Sequence, residues 1–354
     1  MHFTADPEER FPAFVNYAQR DTEVLLVERV RADPRITLLV EHRLTAVEQD
    51  HDLVRAQVES PAGPLQVEAA YVVGCDGAGS TVRSHLGFGF EGRSYDIRFL
   101  LCDVRAHKPA IAERRLHFDP PFNRGRTVLV HPAPDSVWHI DWQVGSDPID
   151  VAEERASGRV DERVRAVLGD PPYDLLWLTT YSFRSLKAPR MRIGRAFLAG
   201  DAAHVYSPYG ARGLNSGLAD ADNLAWRLAL VLTGAVEPTV LGGYDREREP
   251  TARDNLAITD TTARFMAPPS RRLRWRRDAV LAASRLVPSV RRLVNSGRFY
   301  EPARYGPART DGPCESERSS RTICPRGCPH RLVLYCARNE SAQDLRARLA
   351  GVST

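Results

Sequence analysis

The sequence predicts an α/β protein, and three observations carry that reading. Two apolar runs, Val72-Val73-Gly74-Cys75-Asp76-Gly77 and Phe197-Leu198-Ala199-Gly200-Asp201-Ala202-Ala203-His204, each end in glycine and aspartate. Each reads as a buried strand that delivers one carboxylate into a turn opening a helix, the place where doubly wound α/β proteins hold their ligands. Between the two lie short β-like runs separated by proline, glycine and asparagine, the pattern of an antiparallel sheet with one wet face. Beyond the second, Leu214, Leu218, Ala221, Ala225, Leu228 and Leu232 keep a helical rhythm that Gly234 closes. Two carboxylate-bearing strand ends so far apart in the chain imply a large polar cofactor gripped from two sides.

Composition bounds the function. With 354 residues the chain can bury a substantial core, as one large domain or two moderate ones. Hydrophobic residues at 43% and charged residues at 27% are the values of an ordinary globular protein. No apolar run has the length of a membrane span, and Met1 to Asp6 lacks a basic and then apolar leader, so a cytoplasmic home is expected. The net charge of +4 is modest and the arginines form no stripe with interleaved aromatics, which argues against nucleic acid as a partner. Cys75 and Cys102 sit in apolar runs and read as small buried hydrophobes. The other four cysteines crowd the tail, which is not a secreted disulfide framework.

In chain order, Phe11 to Asn16 reads as extended. Asp21 is the candidate N-cap of a helix to about Arg31, with Val24, Val27 and Val30 at helical spacing. Ile36 to Val40 is β-branched and strand-like. Leu53 to Ser60 alternates with period two, and Pro61 to Pro64 turns the chain into a returning strand from Leu65 to Val73. Strands follow at Arg98–Val104, Arg114–Phe118, Arg126–His131 and Val137–Val144. Val151 to Leu168 is one amphipathic helix, and Leu175 to Phe183 returns as a strand. A further helix runs from about Thr239 to Glu249, where Pro250 kinks or ends it. Arg271 to Arg277 begins a basic helix towards Asn295, read as a solvated face with Trp275 tucked against the body.

The first motif is Asp76-Gly77-Ala78-Gly79-Ser80-Thr81-Val82-Arg83. Its glycines permit close backbone approach, Ser80 caps the helix ending at Gly87, and Arg83 is placed for an anion. Alone, the motif is equally an ordinary strand-turn-helix corner. The second motif is richer: Gly200-Asp201-Ala202-Ala203-His204, then Pro208, Gly210 and Gly213 before Leu214-Asn215 begin the long helix. Pro208 and the glycines hold a loop against something flat, and the first free helix amides, near Leu214 and Asn215, face the same space. A helix start carries roughly half a positive charge, which stabilises negative charge on a bound ring.

The block from Gly200 through Asn215 to Asp220-Ala221-Asp222-Asn223-Leu224-Ala225-Trp226-Arg227-Leu228 resembles the flavin-binding segment of class A flavoprotein aromatic hydroxylases, the family of para-hydroxybenzoate, phenol and hydroxyphenylpropionate hydroxylases. Asp76 to Arg83 is similar to that family's second Asp-Gly motif, credited with contacts to FAD and NAD(P)H. Phe14 to Gln19 resembles the stretch whose glutamine touches the flavin, which makes Gln19 the matching position. The resemblance covers about Phe11 to Thr310.

What the resemblance implies is specific. The fold would be a glutathione-reductase-like FAD-binding α/β domain interleaved with an α+β substrate domain built on an antiparallel sheet. Its pieces would be 1–92 and 191–310 for FAD, 93–190 for substrate, and an irregular cysteine-containing tail at 311–354. Asp201 would hydrogen-bond the ribityl chain. Pro208 would lie near the reactive edge of the ring, and the amides of Leu214 and Asn215 would meet its N1–C2=O edge. Asp76, Gly77, Arg83, Gly200, Gly210 and Gly213 complete the cofactor set. Arg212 stands where many relatives have an uncharged residue, and either adds positive potential near the ring or faces solvent. The implied chemistry is reduction of FAD by NAD(P)H, then O₂ addition to a flavin C4a-hydroperoxide that hydroxylates a small aromatic substrate. Along Trp138, His139, Asp141, Trp142 and Gln143, alternate residues would line the substrate pocket or the tryptophans would be core. His204 reads as a packed or capping histidine, and no metal is assigned.

Two departures stand beside the likeness. Members open with a strand, a Gly-x-Gly-x-x-Gly turn and a helix for the FAD pyrophosphate. The residues before Phe11 are too few for that element, so the FAD domain is expected to be N-terminally truncated, with an exposed strand edge. After about Arg309 the composition changes, and Cys324, Cys328, His330 and Cys336 lack the spacing of a regular zinc site. A flavin oxidase or reductase and a non-catalytic remnant stay open as alternatives.

Overall fold

The computed structural model describes residues 19–107, 113–145, 147–268, 270–290 and 332–335. The extended reading of Phe11–Asn16 and the proposed zinc residues of the tail lie outside them. The chain forms two compact units. The first comprises residues up to 37, 94–184 and 261–300, and the second 38–93, 185–260 and 301–354.

In the first unit, helix α1 spans Gln19–Ala32. Asp21, the candidate N-cap, lies inside its first turn, two residues beyond the start at Gln19. The second unit opens with a three-stranded antiparallel meander: β1 (Arg43–Gln49), β2 (Val54–Ser60) and β3 (Gly63–Ala69). Ile36–Val40, expected as a strand, is irregular, and Ile36, Leu38 and Leu39 are exposed. β-branching favours a strand only where a sheet face covers it, and none does so here.

β4 (Tyr71–Gly74) is a separate short strand, buried along its whole length, and it leads to Asp76 and helix α2 (Thr81–His85). β5 (Glu91–Ala106) follows, longer at both ends than the apolar run predicted. β6 (Arg115–Phe118), β7 (Thr127–Ala133) and β8 (Val137–Val144) complete an antiparallel meander. The single helix expected at 151–168 is two, α3 (Val151–Ala156) and α4 (Arg159–Leu168), broken at Gly158 in the left-handed region. β9 (Tyr173–Lys187) then pairs beside β5, so the sheet of the first unit runs β9–β5–β8–β7–β6.

One face of that sheet is the core. Leu100, Cys102, Val104, Val128, Val130, Trp138, Ile140 and Trp142 pack with Val160, Val164 and Leu168 of α4, whose i, i+4, i+8 spacing makes one apolar stripe. The tryptophans are therefore core, and burial pushes the Cys102 thiol up to about 12.

The second unit carries the two strand ends. β10 (Arg192–Ile193) pairs antiparallel with β11 (Ala196–Leu198), and β11 lies parallel to β4, with Phe197 opposite Val73. β12 (His204–Val205) pairs with the last residues of β9. Helix α5 (Arg212–Leu232) starts two residues before the expected Leu214, and α6 spans Gly242–Met266. Pro250 neither ends nor precedes a break in α6. Arg248, Thr251 and Asn255 on either side are buried, and their fixed contacts outweigh the lost helical bond.

In the first unit, α7 (Arg271–Leu286) breaks at Val287, residues 288–290 are again helical, and the remainder of the expected run to Asn295 lies outside the described residues. It corrects the reading of its basic start: Trp275 is 74% exposed, while Arg277 is buried with its guanidinium 4.6 Å over Phe118. Part of the tail is regular. β13 (Leu332–Tyr335) lies parallel to β4 on the edge opposite β11, with Val333 beside Val72. The order is β10–β11–β4–β13, so the edge expected to be bare is paired. No helix among the described residues is long and apolar enough to cross a membrane.

Candidate functional site: a strand-end carboxylate beside an uncapped helix start

The site is built in the second unit from β4 and β11, whose parallel pairing brings Asp76 and Asp201 to the same end of one sheet. Gly74 allows α2 to close over β4. A Cβ there would stand 2.8 Å from Val82 Cβ, so only glycine fits. Asp76 is 6% exposed and is held by its own loop: Ser80 Oγ donates to it at 2.5 Å and the Val82 amide at 3.1 Å. Ser80 caps α2 as expected, accepting from the Arg83 amide at 2.9 Å.

Arg83 differs from the expectation. Its guanidinium is buried, stacks 3.5 Å over Phe90, and donates to the carbonyls of Ala78 at 2.7 Å and Ala202 at 2.9 Å. It is a strut between the two motifs instead of an open anion site. Gly77, at φ +78°, makes the turn between them.

Asp201 is exposed, and the protein around it raises its carboxyl above the usual range while His204 pulls the other way. Gly200, at φ +60°, lies against α5, where a Cβ on Gly217 would stand 3.3 Å from the Gly200 Cα. Beneath it lies a group the motif reading quoted only as part of a block. Asp220 is fully buried and accepts from the Gly200 amide at 2.9 Å, meets His204 Nε2 at 2.6 Å and accepts from Arg248 Nε at 2.7 Å. His204 is thus a packed histidine, stacked on Tyr206. The pairing of Asp220 with Arg248 had no sequence signal, because 28 residues and a turn separate them.

The loop after β12 leads to α5. Pro208 is exposed and accepts from the Ala211 amide at 3.2 Å; Gly210 takes φ +95°, and a Cβ on Gly213 would meet open space. Ala211 precedes α5 in the left-handed region and no side chain caps the helix. The N-cap side chain therefore accepts from none of the opening amides, and Leu214 is 54% exposed. Asn215 lies one residue further in, where helical bonding begins; its side-chain amide donates to the Ala211 carbonyl at 2.7 Å. Arg212 does not face solvent: it is buried and bonded to Asn255. Gln19 belongs to the first unit, exposed at the start of α1 with its amide donating to Glu23 at 2.8 Å.

Buried polar atoms here that lack a partner among the described residues include Ser207 Oγ, His204 Nδ1 and Tyr206 Oη. With the uncapped helix start and the exposed Asp201, they form a donor and acceptor set suited to a flat polar ring and its polyol chain. For the pyrophosphate no comparable cradle is described. Gly87, Gly89 and Gly92 do spell Gly-x-Gly-x-x-Gly, a match the sequence reading passed over, but they follow α2 and open β5. A phosphate cradle needs a strand before the glycines and a helix after them. Among the described residues the one grouping with metal-ligand geometry is the exposed Asp50, His51 and Asp52.

Comparison with known proteins agrees with this geometry. Residues 3–259 match the family model described as an FAD binding domain. The chain is 33% identical over 278 residues to a 12-dehydrotetracycline 5-monooxygenase/anhydrotetracycline 6-monooxygenase of Streptomyces rimosus, covering 73% of this chain and 55% of the relative. It is 29% identical over 304 residues to a 3-(3-hydroxy-phenyl)propionate/3-hydroxycinnamic acid hydroxylase of Mycolicibacterium smegmatis, covering 85% and 53%. Among solved structures, p-nitrophenol 4-monooxygenase PnpA from Pseudomonas putida superposes with a TM-score of 0.69 at 26% identity, over 81% of this chain and 73% of that one. The chain belongs to the FAD-binding-domain family, and within it to the class A flavoprotein aromatic hydroxylases. It spans about half the length of the curated relatives it matches.

Proposed function

We propose that the chain is the FAD-holding part of an NAD(P)H-dependent monooxygenase that hydroxylates a small aromatic compound with O₂. The observation that carries this reading is that one unit holds both the exposed Asp201 carboxylate and the uncapped start of α5, with Gly200 packed on Gly217 of that helix. FAD, when bound, supplies the electron transfer and the oxygen chemistry.

The chain's own residues bind and polarise. Asp201 accepts hydrogen bonds from the hydroxyls of the ribityl chain. The opening amides of α5, Gly213 and Leu214 among them, would meet the pyrimidine edge of the ring and stabilise negative charge there with dipoles already oriented by the helix. The amide of Asn215 sits at the inner margin of that set. Pro208, with Gly210, fixes the loop that lies against the ring. Asp76 and Gly77 hold the neighbouring strand end in place, and Arg83 ties it to Ala202. The reading has support from two relatives, one named as a 12-dehydrotetracycline 5-monooxygenase/anhydrotetracycline 6-monooxygenase and one as a 3-(3-hydroxy-phenyl)propionate/3-hydroxycinnamic acid hydroxylase.

The test is isotopic. Purified protein supplied with FAD, NADPH or NADH, labelled O₂ and phenolic substrates should place one labelled oxygen atom in the product. NAD(P)H consumption that yields only peroxide would replace the hydroxylase reading with that of a flavin oxidase.

A further inference from the structure

The face of the first unit's sheet opposite its tryptophan core carries a constellation that the cofactor site does not use. Cross-strand register sets Asp103 of β5 beside His139 of β8, and His139 beside His131 of β7. His139 lies between two carboxylates: its Nδ1 meets Asp103 and its Nε2 stands 2.8 Å from Asp141. The His131 ring is tilted against it at 4.8 Å between centroids. Leu101 and Leu129 flank Asp141 in register on the same face, and Phe99, stacked on Phe183 at 4.5 Å, continues it.

Charge decides what this face accepts. Burial opposes a proton on His139, but its donation to the Asp103 carboxylate and the attraction of Asp141 win and raise it to about 10, so it stays an imidazolium at neutral pH. His131 goes the other way: burial, with help from the His139 charge and Arg114, lowers it to about 4 and leaves it neutral. Two carboxylates around one imidazolium leave these three groups with one net negative charge, beside the exposed Arg114 that acts on His131. The Asp103 side chain is 32% exposed, and its second oxygen has no partner among the described residues. A half-open carboxylate, held rigid by a charged partner beside a flat ground of leucine and imidazole, is an acceptor for a hydroxyl on an aromatic ring. Charged groups are set in such half-dry surroundings at functional sites more often than elsewhere.

We propose that Asp103, positioned by His139 and Asp141, is a binding site for the hydroxyl of a neutral phenol or enol, and that its charge disfavours aromatic acids. The inference rests on the hydroxylase reading and narrows its substrate class.

Calorimetry on the full chain tests it with three probes: methyl 3-(3-hydroxyphenyl)propanoate, the corresponding free acid, and methyl 3-phenylpropanoate, which lacks the hydroxyl. The hydroxylated ester should bind about tenfold more tightly than the acid, from charge repulsion in a half-open site. It should bind about tenfold more tightly than the hydroxyl-free ester, from the charge-assisted hydrogen bond. In Asp103→Asn both contrasts should shrink to within about twofold. Equal binding of ester and acid, equal binding of the two esters, or no binding of any probe overturns the proposal. The wild-type contrasts stand even where the variant fails to fold. FAD binding is measured on the same preparation. Protein that takes up FAD without either contrast overturns this site alone, whereas contrasts without FAD uptake support the site and overturn the cofactor reading.

Discussion

Arg83 donates to the carbonyl of Ala202 at 2.9 Å, across 119 residues of sequence. The bond ties the turn after β4 to the turn after β11, so the two motifs that stood out in the sequence share one side chain. A second bond, to the Ala78 carbonyl, and the Phe90 ring fix the guanidinium from below.

Replacing Arg83 with methionine should keep much of the packing and lose both bonds. One buried and one half-buried carbonyl are then left without a donor, and the expected loss is about 2–6 kcal/mol of stability at roughly 1–3 kcal/mol for each unsatisfied group. Urea unfolding measures it. Retention of full stability would mean that solvent reaches those carbonyls freely.

Asp220 should be the least replaceable carboxylate of the second unit. Asp220→Ala strands the buried Arg248 guanidinium, which is 3% exposed, at a cost of about 3–5 kcal/mol. Asp220→Asn, which keeps the shape and one acceptor, should retain more. Thermal melting of the two variants against the wild type gives the order.

Gly74→Ala should destabilise by about 1–3 kcal/mol, because the new Cβ overlaps Val82 Cβ. Adding Val82→Ala removes Val82 Cγ1 but leaves the closer Cβ contact, so the double variant should recover only part of the loss. A full recovery in urea unfolding would show that α2 shifts easily over β4.

The imidazole pair gives a pH profile with a defined sign. His139 is raised to about 10 in the folded protein, so its stabilisation is complete below the ordinary value of 6.5 and fades as pH rises towards 10. His131 is lowered to about 4, so its neutral burial costs stability as pH falls from 6.5 towards 4. Together they place a maximum near pH 6.5. Urea midpoints across pH should show the alkaline fall reduced in His139→Gln and the acid fall reduced in His131→Asn. Identical profiles in all three proteins would remove the pair from the account.

Much of this was legible because local chemistry decided it. The rhythm of Leu224, Leu228 and their neighbours required a helix, Gly234 ended it, and the Pro61–Pro64 turn required a hairpin. The Gly-Asp strand ends were legible for the same reason, since a carboxylate closing an apolar run has few structural uses. What could not be read depended on distant partners. Ile36–Val40 has strand composition but no sheet to join, and α6 passes Pro250 because Arg248 and Asn255 are anchored elsewhere. Trp275 and Arg277 exchanged their expected places because Phe118, far away in sequence, offers its ring to the arginine. Arg83 looked available for an anion until Ala202 was beside it. The Asp103–His139–Asp141 cluster required the register of two strands, which period two alone does not supply.

The most direct test of the central claim is a titration of FAD fluorescence with the wild-type chain and with Asp201→Ala. The expected result is saturable quenching by the wild type and binding weakened by about tenfold or more in the variant, the loss of one or two hydrogen bonds made by a charged group. Equal binding by the two proteins, or none by the wild type, would contradict the assignment of this strand end to the flavin.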